Sequence, residues 1–187
     1  GLLLSTLATP DMGTTIESGL LPNTSYVRKI AAYNHDGEGA QVAWDEVYPY
    51  ANVPAVQTLA VTSDTSVNLA IDENENSIAT EYAIYDAGTQ SWLQANGILG
   101  AARVYQTYSE WLDGASAIPI TGLTNNAMYS FKIIARNGDD IETDFSETQN
   151  IVVYRPANAN VVLSKKVGIN QGVQLSGLVT TYLATMP

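Results

Sequence analysis

The chain reads as all-β, and three observations predict it. Val, Ile, Thr and Tyr are plentiful and turn residues recur throughout. No long stretch carries apolar residues at the period of 3.6 that an amphipathic helix needs. Third, the chain repeats itself: "GLLPNTSYVRKIAAYN" at 19–34 returns as "GLTNNAMYSFKIIARN" at 122–137, with eight of the sixteen positions identical. A segment that recurs after roughly 100 residues has the spacing of one small β-sandwich domain. The reading is therefore a set of tandem β-sandwiches arranged end to end, incomplete at both chain ends.

In chain order, "TTIESGLLPNTSYVRKIAAYNHDGEGAQVAWDEVYP" gives a short strand, a Gly-Leu-Leu-Pro-Asn corner and a strand from Ser25 to Tyr33. A turn at "NHDGEG" leads into a strand from Ala40 to Tyr48. Alternate positions Tyr26, Arg28, Ile30 and Ala32 share one face, and most of them suit an inner face, with Arg28 expected near its rim. Next come "VQTLAVT" and "SVNLAI", with Val67, Leu69 and Ile71 alternating inward. The loop "DENENS" precedes a strand at "ATEYAIYD", and two short strands follow near Ser91–Gln94 and Arg103–Tyr108. "AIPI" leads to the second corner, and "TQNIVVY" closes the set. The expected organisation is 1–50 as the back part of one sandwich, 51–156 as a complete one, and 157–187 as the first strands of another module. Short proline-marked linkers, "PYANVP" and "RPANAN", join the pieces.

The corner residues carry a resemblance. Leu20, Pro22, Thr24 and Tyr26 match the Leu-x-Pro-x-Thr-x-Tyr signature of fibronectin type III domains. The second copy keeps Leu123 and Tyr129 but has Asn125 and Ala127 at the other two places. The stretches "ATEYAIYDAGTQSWLQANGILG" and "ARNGDDIETDFS" resemble fibronectin type III repeats of large bacterial or archaeal surface or secreted proteins. The resemblance implies an immunoglobulin-like sandwich, with the corner tyrosine's hydroxyl bonded back to main chain. The family places a tryptophan late in the second strand, where this chain has Ile71; Trp111 is expected to fill that core space. The segment "VVLSKKVGINQGVQLSGLVTTYLATMP" resembles the opening of a different surface-protein repeat, and in some surface modules such a strand hosts an isopeptide lysine, here Lys165 or Lys166.

Charge and composition narrow the partners. With 19 acidic and 8 basic side chains the net charge is −11, which repels phosphate backbones and anionic bilayers. Neither nucleic acid nor a membrane-spanning segment is expected. The absence of cysteine removes disulfides, thiolate metal sites and cysteine nucleophiles. The apolar opening "GLLLSTLA" is too short to span a bilayer. The chain begins with Gly rather than Met, and its natural start is expected to lie elsewhere.

No catalytic residue and no cofactor-binding residue is expected. His35 is the only histidine, it lies in a turn, and no nucleophile elbow accompanies it. Two acidic runs are the places where calcium would bind: Asp72, Glu73 and Glu75 in one loop, Asp139, Asp140, Glu142 and Asp144 in another. Calcium accepts six to eight oxygen ligands from loops, but neither run has the spacing of an EF-hand, and ordinary solvated turns are the first reading. Trp92 and Trp111, with Tyr105 and Tyr108, offer flat faces for a sugar-binding platform. Core or cross-strand packing takes precedence for them. Asn23-Thr24-Ser25 is a formal glycosylation sequon, yet it sits inside the corner that the fold needs.

The function these residues and the resemblance imply is non-enzymatic. It is a structural or adhesive segment of an extracellular or cell-surface modular protein: spacer, stalk, filament or surface-layer block. The alternative is a carbohydrate- or protein-binding accessory module of a secreted enzyme. Expected partners are other domains of the same polypeptide or neighbouring subunits of a surface assembly. Under the subunit reading, residues 1–50 of one copy would pair with 157–187 of the next.

Overall fold

A computed structural model describes residues 16–154. Its contacts divide the chain into two units, Gly1–Arg155 and Pro156–Pro187. The expected second kind of module at 157–187, Lys165 and Lys166, and the opening "GLLLSTLA" lie outside the described residues.

The leading segment is one long, interrupted antiparallel hairpin. Strand β1 (Lys29–Ile30) pairs with β4 (Val42–Ala43), and β2 (Tyr33–Asn34) with β3 (Gly37–Glu38) at the tip. A bridge between Tyr26 and Val47 extends the ladder at the base. The continuous strands expected at Ser25–Tyr33 and Ala40–Tyr48 are thus reduced to two-residue ladders. The expected inner face is also corrected: Ile30 is 56% exposed, Ala32 is exposed, and Trp44 on the facing arm is 64% exposed. Among the described residues no second sheet covers this hairpin, so alternation alone buries nothing. Arg28 instead lies over the Tyr26 ring, 4.6 Å from its centroid, and pairs with Glu17 at 2.6 Å.

From Ala55 onward the chain forms a two-sheet sandwich. One sheet has the order β11 (Ile118–Ile120), β6 (Ser66–Asp72), β5 (Ala55–Ser63). The other runs β13 (Gln149–Val152), β12 (Met128–Arg136), β7 (Glu81–Asp86), β8 (Ser91–Leu93), β9 (Leu99–Gly100). Strand β10 (Gln106–Thr107) joins the free edge of β7 beside Glu81 and Tyr82. All strand pairings are antiparallel. The assignment of strands to the two sheets is that of a fibronectin type III-like, immunoglobulin-like sandwich.

Period-two alternation builds its core. Val67, Leu69 and Ile71 of β6 turn inward as the sequence predicts, and Ile118 and Ile120 of β11 join them. Tyr82 and Ile84 of β7 and Tyr129, Phe131, Ile133 and Ala135 of β12 face them from the other sheet. The edge strand β5 carries register shifts at Val56/Thr58 and Val61/Ser63. Such bulges twist an edge away from pairing with another chain.

One expected strand is corrected. Only Gln106–Thr107 of the segment expected as a strand at Arg103–Tyr108 is extended, and the chain then turns into a helix, α1 (Tyr108–Leu112). Its start is a capping box: the Thr107 hydroxyl accepts from the Glu110 amide at 3.3 Å, and the Glu110 carboxylate accepts from the Thr107 amide at 2.8 Å. The helix drives Trp111 into the core, 5% exposed, beneath β7.

Candidate functional site

Both copies of the repeat make the same corner. The Tyr26 hydroxyl accepts from the Leu21 amide at 2.9 Å, and the Tyr129 hydroxyl accepts from the Thr124 amide at 2.8 Å. Leu123 and Tyr129 are buried, while Leu20, Pro22 and Tyr26 are half-buried. The asparagine that follows the turn is left-handed in each copy, with φ 41° at Asn23 and 61° at Asn126. Asparagine tolerates that conformation better than most residues.

At the first corner this geometry aims Asn23 into the pole of the sandwich. Asn23 is 2% exposed. Its Nδ2 donates to the Thr80 hydroxyl at 2.8 Å, and its Oδ1 accepts from the Gly138 amide at 2.7 Å. Its main-chain carbonyl accepts from the Ser77 hydroxyl at 2.7 Å. One side chain therefore ties together the β6–β7 loop and the β12–β13 loop. Asn126, at the equivalent place in the second copy, is exposed among the described residues.

A second asparagine holds the arm that returns from the hairpin. Asn137, 3% exposed, donates from Nδ2 to the carbonyls of Tyr48 and Pro49, both at 3.2 Å. Its Oδ1 accepts from the amides of Asp139 at 3.1 Å and Ile141 at 2.9 Å, so the same residue shapes its own loop. The Tyr48 amide donates to Asp139 at 3.0 Å. Gly138 packs against the Tyr48 ring so closely that a Cβ there would lie 2.6 Å from it.

The linker is fastened in the same way. The Asn52 amide donates to Asn76 Oδ1 at 2.7 Å, and Asn76 Nδ2 returns a bond to the Asn52 carbonyl at 2.9 Å. Asn52 Nδ2 reaches the Asn74 carbonyl, and Asn74 Nδ2 the Val53 carbonyl, each at 2.9 Å. An amide side chain offers donors and acceptors together, so it can satisfy main chain on both sides of a seam. Asn52, Asn74, Asn76 and Asn137 are not among the residues the sequence singles out. The usable signal was their density in "YANVP", "DENENS" and "ARNGDD", of which the first reads as a proline-marked linker and the other two by charge as acidic loops.

The two acidic runs lie at this joint. Asp72 accepts from the Asn74 amide at 3.0 Å, and Asp139 is held by Tyr48. Burial, and then Asp72 nearby, hold Glu73 above the usual carboxylate range. Asp140 pairs with Arg136 at 2.8 Å. Glu142 pairs with Arg103 at 2.5 Å and accepts from the Tyr105 hydroxyl at 2.8 Å. The Tyr105 bond and the Arg103 guanidinium hold Glu142 below the usual range, while burial and Glu142 push Tyr105 up to about 12. Glu75 and Asp144 are exposed. Among the described residues no three His, Asp or Glu side chains converge on a point where a metal ion would sit.

The two tryptophans part company. Trp111 is a core residue, so it does not share a platform with Trp92. Trp92 lies on the outer face of β8, its ring 4.7 Å from that of Tyr85 and 6.0 Å from that of Phe145. The Arg103 guanidinium covers the Trp92 ring at 4.2 Å, and Arg136 covers Tyr105 at 4.4 Å. Tyr108 is half-buried, and its hydroxyl accepts from the Ile71 amide at 3.3 Å. His35 is exposed in the hairpin turn. No helix among the described residues is long and apolar enough to cross a membrane.

No family model matches the chain, and no curated protein matches it. Among solved structures, it is similar to domains d3-d4 of the rat CD45 extracellular region, at a TM-score of 0.43 and 19% identity, over 79% of this chain and 73% of that one. It is similar to the FN1-FN3 domains of chicken CNTN1 at a TM-score of 0.36 and 16% identity, over 74% of this chain and 46% of that one. A stretch of titin domains is similar at a TM-score of 0.35 and 20% identity, over 70% of this chain and 41% of that one. The chain spans less than half the length of the last two.

Proposed function

We propose that this chain is a non-enzymatic structural or adhesive segment of an extracellular or cell-surface modular protein, and that the asparagine-held joint sets how one segment follows the next. The observation that carries the reading is Asn23. It is a buried polar side chain whose donor and acceptor are both satisfied from loops more than fifty residues away in sequence. Hydrogen bonds of this kind resist bending at the seam, because breaking one leaves a desolvated amide or hydroxyl without a partner. A flexible tether would have no use for such a set.

The accessory-module reading draws on Trp92 and the Phe145 ring beside it. Arg103 occupies the indole face that a sugar would need, and this favours the structural reading.

Amide hydrogen exchange on the intact chain tests the joint. The Tyr48 and Gly138 amides should exchange as slowly as the sandwich around them. Exchange at the rate of an unfolded chain would sink the proposal.

A further inference from the structure

The joint contains an Asn-Gly pair, Asn137-Gly138, and its chemistry is not used by the holding role. In such a pair the glycine amide nitrogen can attack the asparagine Cγ, since no glycine side chain hinders the approach. A C–N bond forms to give a cyclic succinimide, and the side-chain nitrogen leaves as ammonia. Water then opens the ring to aspartate or isoaspartate.

Here both reacting groups are occupied. The Gly138 amide hydrogen points to Asn23 Oδ1 at 2.7 Å. The leaving nitrogen of Asn137 is tied to the Tyr48 and Pro49 carbonyls, and its Oδ1 to two loop amides. The side chain is also 3% exposed, which keeps out the water that the second step consumes. All three restraints come from the closed joint, two of them from residues of the leading segment.

We propose that Asn137 is a deamidation site held shut by the joint, and that its conversion is a one-way release of that joint. The product carries a carboxylate where Nδ2 was. It has no hydrogen to offer the Tyr48 and Pro49 carbonyls, and its charge faces two carbonyl oxygens and the nearby Asp139. The bonds its other oxygen accepts from Asp139 and Ile141 survive in the aspartate product, so the loop keeps its shape while the arm is let go. The inference rests on the joint of the previous section, yet the two can fail separately.

The test uses the full chain aged in mildly alkaline buffer, with peptide mass spectrometry reading conversion at Asn137. Asn96-Gly97, remote from the joint, is the internal reference. Asn23→Ala should speed conversion at Asn137 by roughly three- to tenfold, the loss of one hydrogen bond's worth of protection, and leave Asn96 unchanged. Equal rates in both proteins, with the wild-type Tyr48 amide protected from exchange, would overturn the gating while leaving the joint intact. An unprotected wild-type Tyr48 amide would overturn both. Should Asn23→Ala not fold, Asn137→Asp, the α-linked one of the two products, gives a second reading: fast exchange at Tyr48 with an unchanged melting temperature supports the release. Unchanged exchange at Tyr48 refutes it.

Discussion

The indole N–H of Trp111 donates to the main-chain carbonyl of Tyr82 at 2.8 Å, inside the core. A one-turn helix thereby anchors itself to the central strand of the larger sheet, with its largest side chain under that strand. Trp111→Ala should cost about 3–5 kcal/mol, the usual range for deleting a buried aromatic. Trp92→Ala, on the outer face, should cost about 1 kcal/mol, the worth of its ring and cation contacts. Urea unfolding of both variants checks the difference; similar losses would contradict the placement of the two rings.

The twin corners predict an ordered pair of losses. Tyr129→Phe removes the acceptor for a partly buried Thr124 amide and should cost about 1–2 kcal/mol. Tyr26→Phe frees an amide that water can reach and should cost less, about 0.5 kcal/mol. Thermal melts rank them, and a reversed order would mean the first corner bears more load than its exposure indicates.

Gly138→Ala places a methyl 2.6 Å from the Tyr48 ring. The backbone at Gly138 suits any residue, so the sandwich itself should keep its stability to within about 0.5 kcal/mol. What should change is the joint, read as faster amide exchange at Tyr48 and a larger hydrodynamic radius. Gly97→Ala makes the contrast: its φ is 78° and the new methyl would lie 2.8 Å from the Pro119 carbonyl, so it should destabilise the sandwich.

The Glu142–Tyr105 pair gives stability a pH dependence at both extremes. Glu142 is depressed by Tyr105 and Arg103, so its contribution is complete above the unfolded value near 4.5 and is lost as pH falls through its lower folded value. Tyr105 is raised from 10.0 to about 12, so its contribution is complete below 10 and is lost as pH climbs through about 12. Glu73, raised by burial, runs opposite to Glu142: its contribution fades as pH rises through its folded value. Glu142→Gln should flatten part of the acid limb and Tyr105→Phe part of the alkaline limb in denaturant titrations. Unchanged limbs would remove the pair from the account.

What the sequence disclosed and what it hid follow from range. The corner was legible because Leu, Asn and Tyr recur at fixed spacing and their bonds are local, reaching only five residues back. The inward run Val67, Leu69, Ile71 was legible because alternation reports which face is covered once a second sheet exists. The same alternation misled at Ile30, where no cover is present among the described residues. Helix α1 went unread although "TYSE" is a capping box, since five residues are too few to show a helical period. The joint was hidden for a different reason. Asn23 and Gly138 are 115 residues apart, and nothing local to either says that they meet.

The polarity of the strands has a mechanical consequence. The chain enters the sandwich at Ala55, beside Asp72 at one pole, and leaves at Val152, beside Met128 at the other. Tension applied to the two ends pulls β5 and β13 along their own axes, against neighbours that run the opposite way. Under that load the ladder bonds are sheared together rather than peeled one at a time, so rupture requires many to fail at once. Pulled along that axis, the sandwich should resist extension more than it would resist peeling of either edge strand.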